Sequence, residues 1–130
     1  MRLHRTISPD LPLLVVALEE EAAHQHVSEL PVLVTGAGKV NAAVSVATIL
    51  GQYSPSHLVN LGTAGALHDG LEGTHVIGTV IQHDLDDAAL FQLSGLHFGE
   101  PIVVAATGHV LATGDAFIAD HEPQIFRCQT

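Results

Sequence analysis

The chain has 130 residues, 47% of them hydrophobic, and a mean hydropathy of +0.35, enough apolar material for one core, so a single domain over 1–130 is expected. Four Lys and Arg against fourteen Asp and Glu give a formal net charge of −10, which repels phosphate backbones and anionic lipid and argues against nucleic-acid and membrane partners. One cysteine, Cys128, leaves no internal disulfide and no multi-thiolate metal site, which suits a reducing cytoplasm.

In chain order, residues 1 to 12 read as a polar lead-in containing Pro9 and Pro12. The apolar run Leu13 to Leu18 predicts a buried strand; with Leu11 and Pro12 it is still too short to span a bilayer. Glu19 to Ser28 predicts a short helix, and Pro31 to Val34 a second strand. Gly36-Ala37-Gly38 is a tight turn that opens a helix from Lys39 to Leu50. Within that helix Val40, Ala43, Val44 and Ala47 share one face, expected to be the buried one, and Gly51 supplies the stop. Pro55 introduces a strand over His57 to Leu61, and the strand-helix-strand order predicts a right-handed parallel crossover. Further strands are expected at Thr74 to Ile81, Ile102 to Ala105 and Val110 to Ala112. The expected class is α/β, a mixed and largely parallel sheet flanked by helices.

Several clusters have chemical potential, each with a structural alternative. Glu19, Glu20 and Glu21 stand at the carboxyl end of the first core strand, where open α/β sheets bind ligands and an apolar wall raises a carboxylate pKa toward general-base range. The same triplet also suits the first turn of a helix. Gly36-Ala37-Gly38-Lys39 exposes backbone amides before a helix, but Val40 stands where a Walker motif needs Ser or Thr and Asn41 where a dinucleotide fingerprint needs glycine. A strain-relieving turn explains the glycines instead. His83-Asp84-Leu85-Asp86-Asp87 has the donor types of a metal site without its additional spaced ligands; such a cluster also caps helices and orders loops. The ten histidines are scattered, and His24 and His26, two apart on a helix, face different ways, so no metal is assigned. Phe117, in Gly114-Asp115-Ala116-Phe117-Ile118, is suited to stacking on a planar base or to core packing.

The order of the motifs carries more than any one of them. Val16 to Glu21 after a strand, Thr35-Gly36-Ala37-Gly38-Lys39-Val40-Asn41-Ala42-Ala43 before a helix, Asn60-Leu61-Gly62-Thr63-Ala64-Gly65-Ala66-Leu67 after a strand, then His83 to Asp86 and Thr113 to Ile118, together resemble the nucleoside phosphorylase and nucleosidase superfamily. Within it the pattern is similar to the 5'-methylthioadenosine/S-adenosylhomocysteine nucleosidases. The resemblance covers residues 13–118 and does not extend to 119–130. It implies a phosphorylase/hydrolase-like fold, truncated before the family's ribose-gripping Met-Glu pair and leaving-group aspartate.

By that resemblance Glu21 holds and activates the attacking water as the catalytic residue, and Thr63, Ala64 and Gly65 lie beside the ribose and base. Phe117 and Ile118 stack on the purine and offer it backbone groups. Leu90 and Phe91 extend into the partner subunit's alkylthio pocket, which implies a homodimer. Arg2, Arg5 and Arg127 all fall outside the motifs, which favours hydrolysis over phosphorolysis. The implied function is a purine nucleosidase acting on methylthioadenosine- or adenosylhomocysteine-type nucleosides, cytoplasmic and free of cofactor. The alternative is a non-catalytic nucleoside-binding or subunit-pairing module of the same fold.

Overall fold

In the computed structural model, which describes residues 1–23 and 29–118, the expected first strand forms as β2 (Leu13–Val16) and becomes an interior strand of a four-stranded sheet. The chain divides into two units, Met1–Gly65 and Ala66–Thr130. The first holds β1 (Arg2–His4), β2, α1 (Glu19–Ala23), β3 (Val32–Val34), α2 (Lys39–Leu50) and β4 (Leu58–Asn60). Its strand order is β1-β3-β2-β4, with β2 parallel to β3 and to β4, and β1 antiparallel to β3.

All four side chains of β2 are buried, because successive side chains of a strand point to opposite faces and both faces of this sheet are covered. Leu13 and Val15 pack with Leu33, Ile7 and Ile49 on one face. Leu14 and Val16 pack with Val32, Val34 and Ala22 on the other. Each fully buried aliphatic side chain contributes about 1.5–3 kcal/mol.

Two expectations are corrected in this unit. The lead-in is structured: Arg2–His4 adds a strand to the sheet edge, and Ile7 enters the core at 7% exposure. Its polar composition misleads because Arg2 and His4 both reach Glu19, at 3.0 and 3.1 Å, while Leu3 between them packs against the core. The face assigned to the second helix is also reversed. Its bounds are as expected, but Val40 and Val44 are 70% and 60% exposed, and the buried positions are Ser45 and Ile49, with Val46 packed beside them. The helix is apolar on nearly every side, so two stripes related by a two-residue shift compete. Ser45 belongs to the inner one because its hydroxyl donates to the Thr35 carbonyl at 3.3 Å.

The second unit holds β5 (Ile77–Gln82), α3 (Asp87–Ser94), β6 (Ile102–Val103) and β7 (His109–Thr113). The strand order is β6-β5-β7, β5 being antiparallel to β6 and parallel to β7. The mixed α/β class is therefore observed, with the strands distributed over two sheets. The β5 and β7 ladder slips between Ile77 and Thr79, where Gly78 and Gly108 approach so closely that a Cβ on Gly108 would lie 2.5 Å from the Gly78 nitrogen. Helix α3 starts on Asp86, whose carboxylate accepts from the Ala89 amide at 3.0 Å, and stops at Gly95 with φ 72°.

No helix among the described residues is long and apolar enough to cross a membrane. His24, His26, Cys128 and the end of the expected Glu19–Ser28 helix lie outside the described residues.

Leu33 is fully buried between β1 and β2. Leu33→Ala is expected to lower unfolding free energy by roughly 2–5 kcal/mol in a urea titration, whereas Val44→Ala, on the outward face of α2, is expected to change it by less than about 1 kcal/mol.

Candidate active site

Strand β2 runs between β3 and β4, so the chain leaves β2 for one neighbour and returns to the other side with β4. Such a reversal of strand order opens a crevice at the carboxyl ends of parallel strands. The end of β2 is tied to both neighbours: Thr35 donates its amide to the Val16 carbonyl at 3.0 Å, and Leu61 donates to Val15 at 2.9 Å. Two loops thereby meet, Ala17 to Glu21 after β2 and Leu61 to Gly65 after β4.

Glu21 joins them. Its Oε2 accepts the Ala17 amide at 3.0 Å and the Leu18 amide at 3.1 Å. Its Oε1 accepts the Thr63 amide at 2.9 Å and the Thr63 hydroxyl at 3.2 Å. The Leu18 bond is half of a capping box, in which the third residue of a helix reaches back to the amide preceding it. Gly62 stands directly under the carboxylate, and a Cβ there would lie 3.2 Å from Oε1. Nothing in the sequence motif singled out Gly62 or the Ala17 and Leu18 amides; the signal was only that a strand end and a glycine-bearing loop both abut Glu21.

The electrostatic outcome is opposite to the one expected from burial. Desolvation is the largest single influence on Glu21 and acts to raise its pKa, but the Thr63, Leu18 and Ala17 amides and the Thr63 hydroxyl together outweigh it, and the net shift is downward from 4.5. Glu21 is thus an oriented anion at neutral pH. It can stabilise positive charge and hold water, but its intrinsic basicity is reduced.

The other assigned residues are placed as follows. Thr63 alone of the loop contacts Glu21 by hydrogen bonds; Ala64 and Gly65 are exposed, and a Cβ on Gly65 would meet nothing within 4 Å. In the second unit Leu90 is half-buried on α3, and Phe91 stacks on His97 with ring centres 4.3 Å apart. Phe117 is 93% exposed and Ile118 half-buried at the end of the described chain.

The acidic cluster after β5 serves the backbone. Asp84 accepts the Asp115 and Ala116 amides at 2.6 and 3.2 Å, and Asp86 caps α3. Asp87 accepts the Phe98 and Gly99 amides at 2.6 and 2.7 Å and the His97 ring nitrogen at 2.6 Å. The His97 bond and those two amides hold the Asp87 pKa below its ordinary range. Among the described residues no three His, Cys, Asp or Glu side chains are grouped to hold a metal ion.

Glu21 has a folded-state pKa below its unfolded one, so its bonds stabilise the fold above the ordinary carboxylate pKa and are lost as pH falls through the depressed value. Glu21→Gln is expected to be less stable than the parent at pH 7, with the gap narrowing below about pH 4 in urea titrations. A gap independent of pH would contradict the hydrogen-bonded anion.

Comparison with known proteins places these motifs in a wider setting. The family model described as Phosphorylase superfamily matches residues 18–125. A 5'-methylthioadenosine/S-adenosylhomocysteine nucleosidase from Bacillus subtilis (strain 168) is 34% identical over 95 residues, covering 72% of this chain and 41% of that protein. The protein of the same name from Bacillus thuringiensis (strain Al Hakam) is 33% identical over 114 residues, covering 71% of this chain and 49% of that protein. The chain thus spans about half the length of the curated relatives it matches. No solved structure gives a significant match.

Proposed function

The chain belongs to the phosphorylase superfamily, and from that premise we propose that it is a purine nucleosidase hydrolysing the N-glycosidic bond of methylthioadenosine- or adenosylhomocysteine-type nucleosides. The observation that carries this is the Glu21 carboxylate, held as an anion at a strand-order reversal by amides from two loops. The names of the Bacillus relatives supply the substrate class.

The proposed reaction breaks the bond from the anomeric carbon to the purine nitrogen and forms one to a water oxygen. Electrons of the breaking bond leave with the base, positive charge develops on the ribose, and water loses one proton while the departing base gains one. Glu21 stabilises the developing charge and receives the proton of the attacking water as the catalytic residue. For that, Oε1 exchanges one of its Thr63 bonds for the water, and Thr63 then offers its hydroxyl to the substrate. Ala64 and Gly65 are assigned to the ribose and base, and Phe117 and Ile118 to the purine. Water is preferred to phosphate as the nucleophile because Arg2, Arg5 and Arg127 all fall outside the motifs.

A second function is favoured by one observation. Four donors make Glu21 a weak base, which suits a nucleoside-binding or subunit-pairing module that holds ligand without turnover. The two readings share residues and differ in outcome. Under either, 1–130 acts as a single nucleosidase-like domain in the cytoplasm. A homodimer is proposed from Leu90 and Phe91, the residues that the resemblance directs into a partner subunit's alkylthio pocket.

Methylthioadenosine is expected to yield adenine without a requirement for phosphate, and Glu21→Gln to lower the rate by about 10²- to 10⁴-fold, followed by chromatography of the free base. Undiminished release in that variant would remove Glu21 from the chemistry; ligand-dependent thermal stabilisation with no release would select the binding module. Sedimentation is expected to give a dimer that Phe91→Glu converts to monomer.

A further inference from the structure

The nucleosidase proposal leaves the cluster after β5 without a part in ligand recognition. We propose that Asp84 is a positioning residue for purine recognition, fixing the backbone of Gly114–Ile118 from which Phe117 and Ile118 meet the base; this role rests on the purine-nucleoside reading of that segment.

Strands β5 and β7 are parallel and stay in register to their last residues, Gln82 opposite Thr113. One more bond, from the His83 amide to the Thr113 carbonyl at 3.0 Å, closes the ladder. Beyond it no strand pairing orders the segment among the described residues, and Asp84 takes over that task. Its Oδ2 accepts two consecutive amides, Asp115 at 2.6 Å and Ala116 at 3.2 Å. Successive amides converging on one point form an anion-binding concavity, and here the chain fills it with its own carboxylate. Bonds of amides to a carboxylate are stronger than neutral ones, so the two fix the local dihedral angles of the turn.

Gly114 makes the approach possible. A Cβ there would strike the His83 ring nitrogen and lie 2.8 Å from the Asp84 carboxyl carbon. Phe117 is the next residue after the two anchored amides, and its side chain is 93% exposed. Packing therefore does not hold its ring, and the backbone sets where its Cα–Cβ bond points. A stacking ring and edge-reading backbone groups need a defined orientation to select a planar base, and Asp84 provides it without touching the ligand. Asp86 and Asp87 have separate work, at the start of α3 and on residues 97–99, so the effect is specific to one carboxylate.

The test uses the full chain, with adenine as the probe in isothermal titration and amide hydrogen exchange as a second readout. Asp84→Ala is expected to weaken adenine binding about tenfold or more and to raise exchange at Asp115 and Ala116, while the amides of β5 and β7 keep their protection. Asp84→Asn, which is nearly isosteric and retains one acceptor oxygen, is expected to fall between parent and Asp84→Ala in both readouts. Adenine binding by Asp84→Ala equal to that of the parent overturns the proposal. If the parent itself does not bind adenine, the purine assignment of Phe117 and Ile118 falls, and exchange decides the positioning claim alone: lost protection at Asp115 and Ala116 in Asp84→Ala sustains it, retained protection overturns it.

Discussion

Burial of β2 on both faces is the constraint from which the first unit follows. Four consecutive apolar side chains can be covered only if the strand has neighbours on each edge and material above and below the sheet. Parallel neighbours on both edges require chain to cross over between them, which supplies α1 and α2. The same arrangement brings the exits of β2 and β4 side by side, and Glu21 occupies that junction. The site is thus a by-product of how an unbroken hydrophobic run is sheltered.

A second theme is the way this chain satisfies its carboxylates. With fourteen acids and four Lys or Arg there are too few cations to pair them. Glu21, Asp84, Asp86 and Asp87 turn instead to backbone amides, each at a loop or a helix start. An amide donor is part of the fold, so the acid that accepts it also dictates a local conformation. Glycines accompany three of these contacts. Gly62 lies under Glu21, Gly114 beside Asp84 and Gly99 against Asp87, where a Cβ would intrude in each case. Acid and glycine form a repeated pair in which one grips the backbone and the other leaves room for it.

How far the sequence anticipates this depends on the signal each element carries. The runs at Leu13 and Val32 are legible because nothing polar interrupts them, and Lys39–Leu50 because a glycine turn opens it and Gly51 follows. The inward stripe of that helix was not, since Val40 and Val44 are as apolar as Val46 and Ile49; only Thr35, ten residues away from Ser45 in sequence, breaks the tie. Edge strand β1 was concealed by charged residues whose partner, Glu19, lies far along the chain. Glu21 was identifiable as a strand-end acid within a motif, but the sense of its pKa shift was not, because four donors are contributed by backbone and hydroxyl groups that composition does not reveal. The acids after β5 had two structural roles open to them, capping and loop ordering, and the fold uses both.

Reliance on amides in place of cations bears on how the molecule responds to its ionic surroundings. Dissolved salt screens the attraction between opposite exposed charges, with a Debye length of about 8–10 Å at physiological ionic strength, but a carboxylate hydrogen-bonded to a neutral amide has little such attraction to lose. Salt does relieve the mutual repulsion of a chain carrying a net −10. Screening also weakens the exposed Arg2–Glu19 pair that ties β1 to the start of α1, so rising ionic strength loosens that edge contact while the amide-held carboxylates of Glu21 and Asp84 lose little.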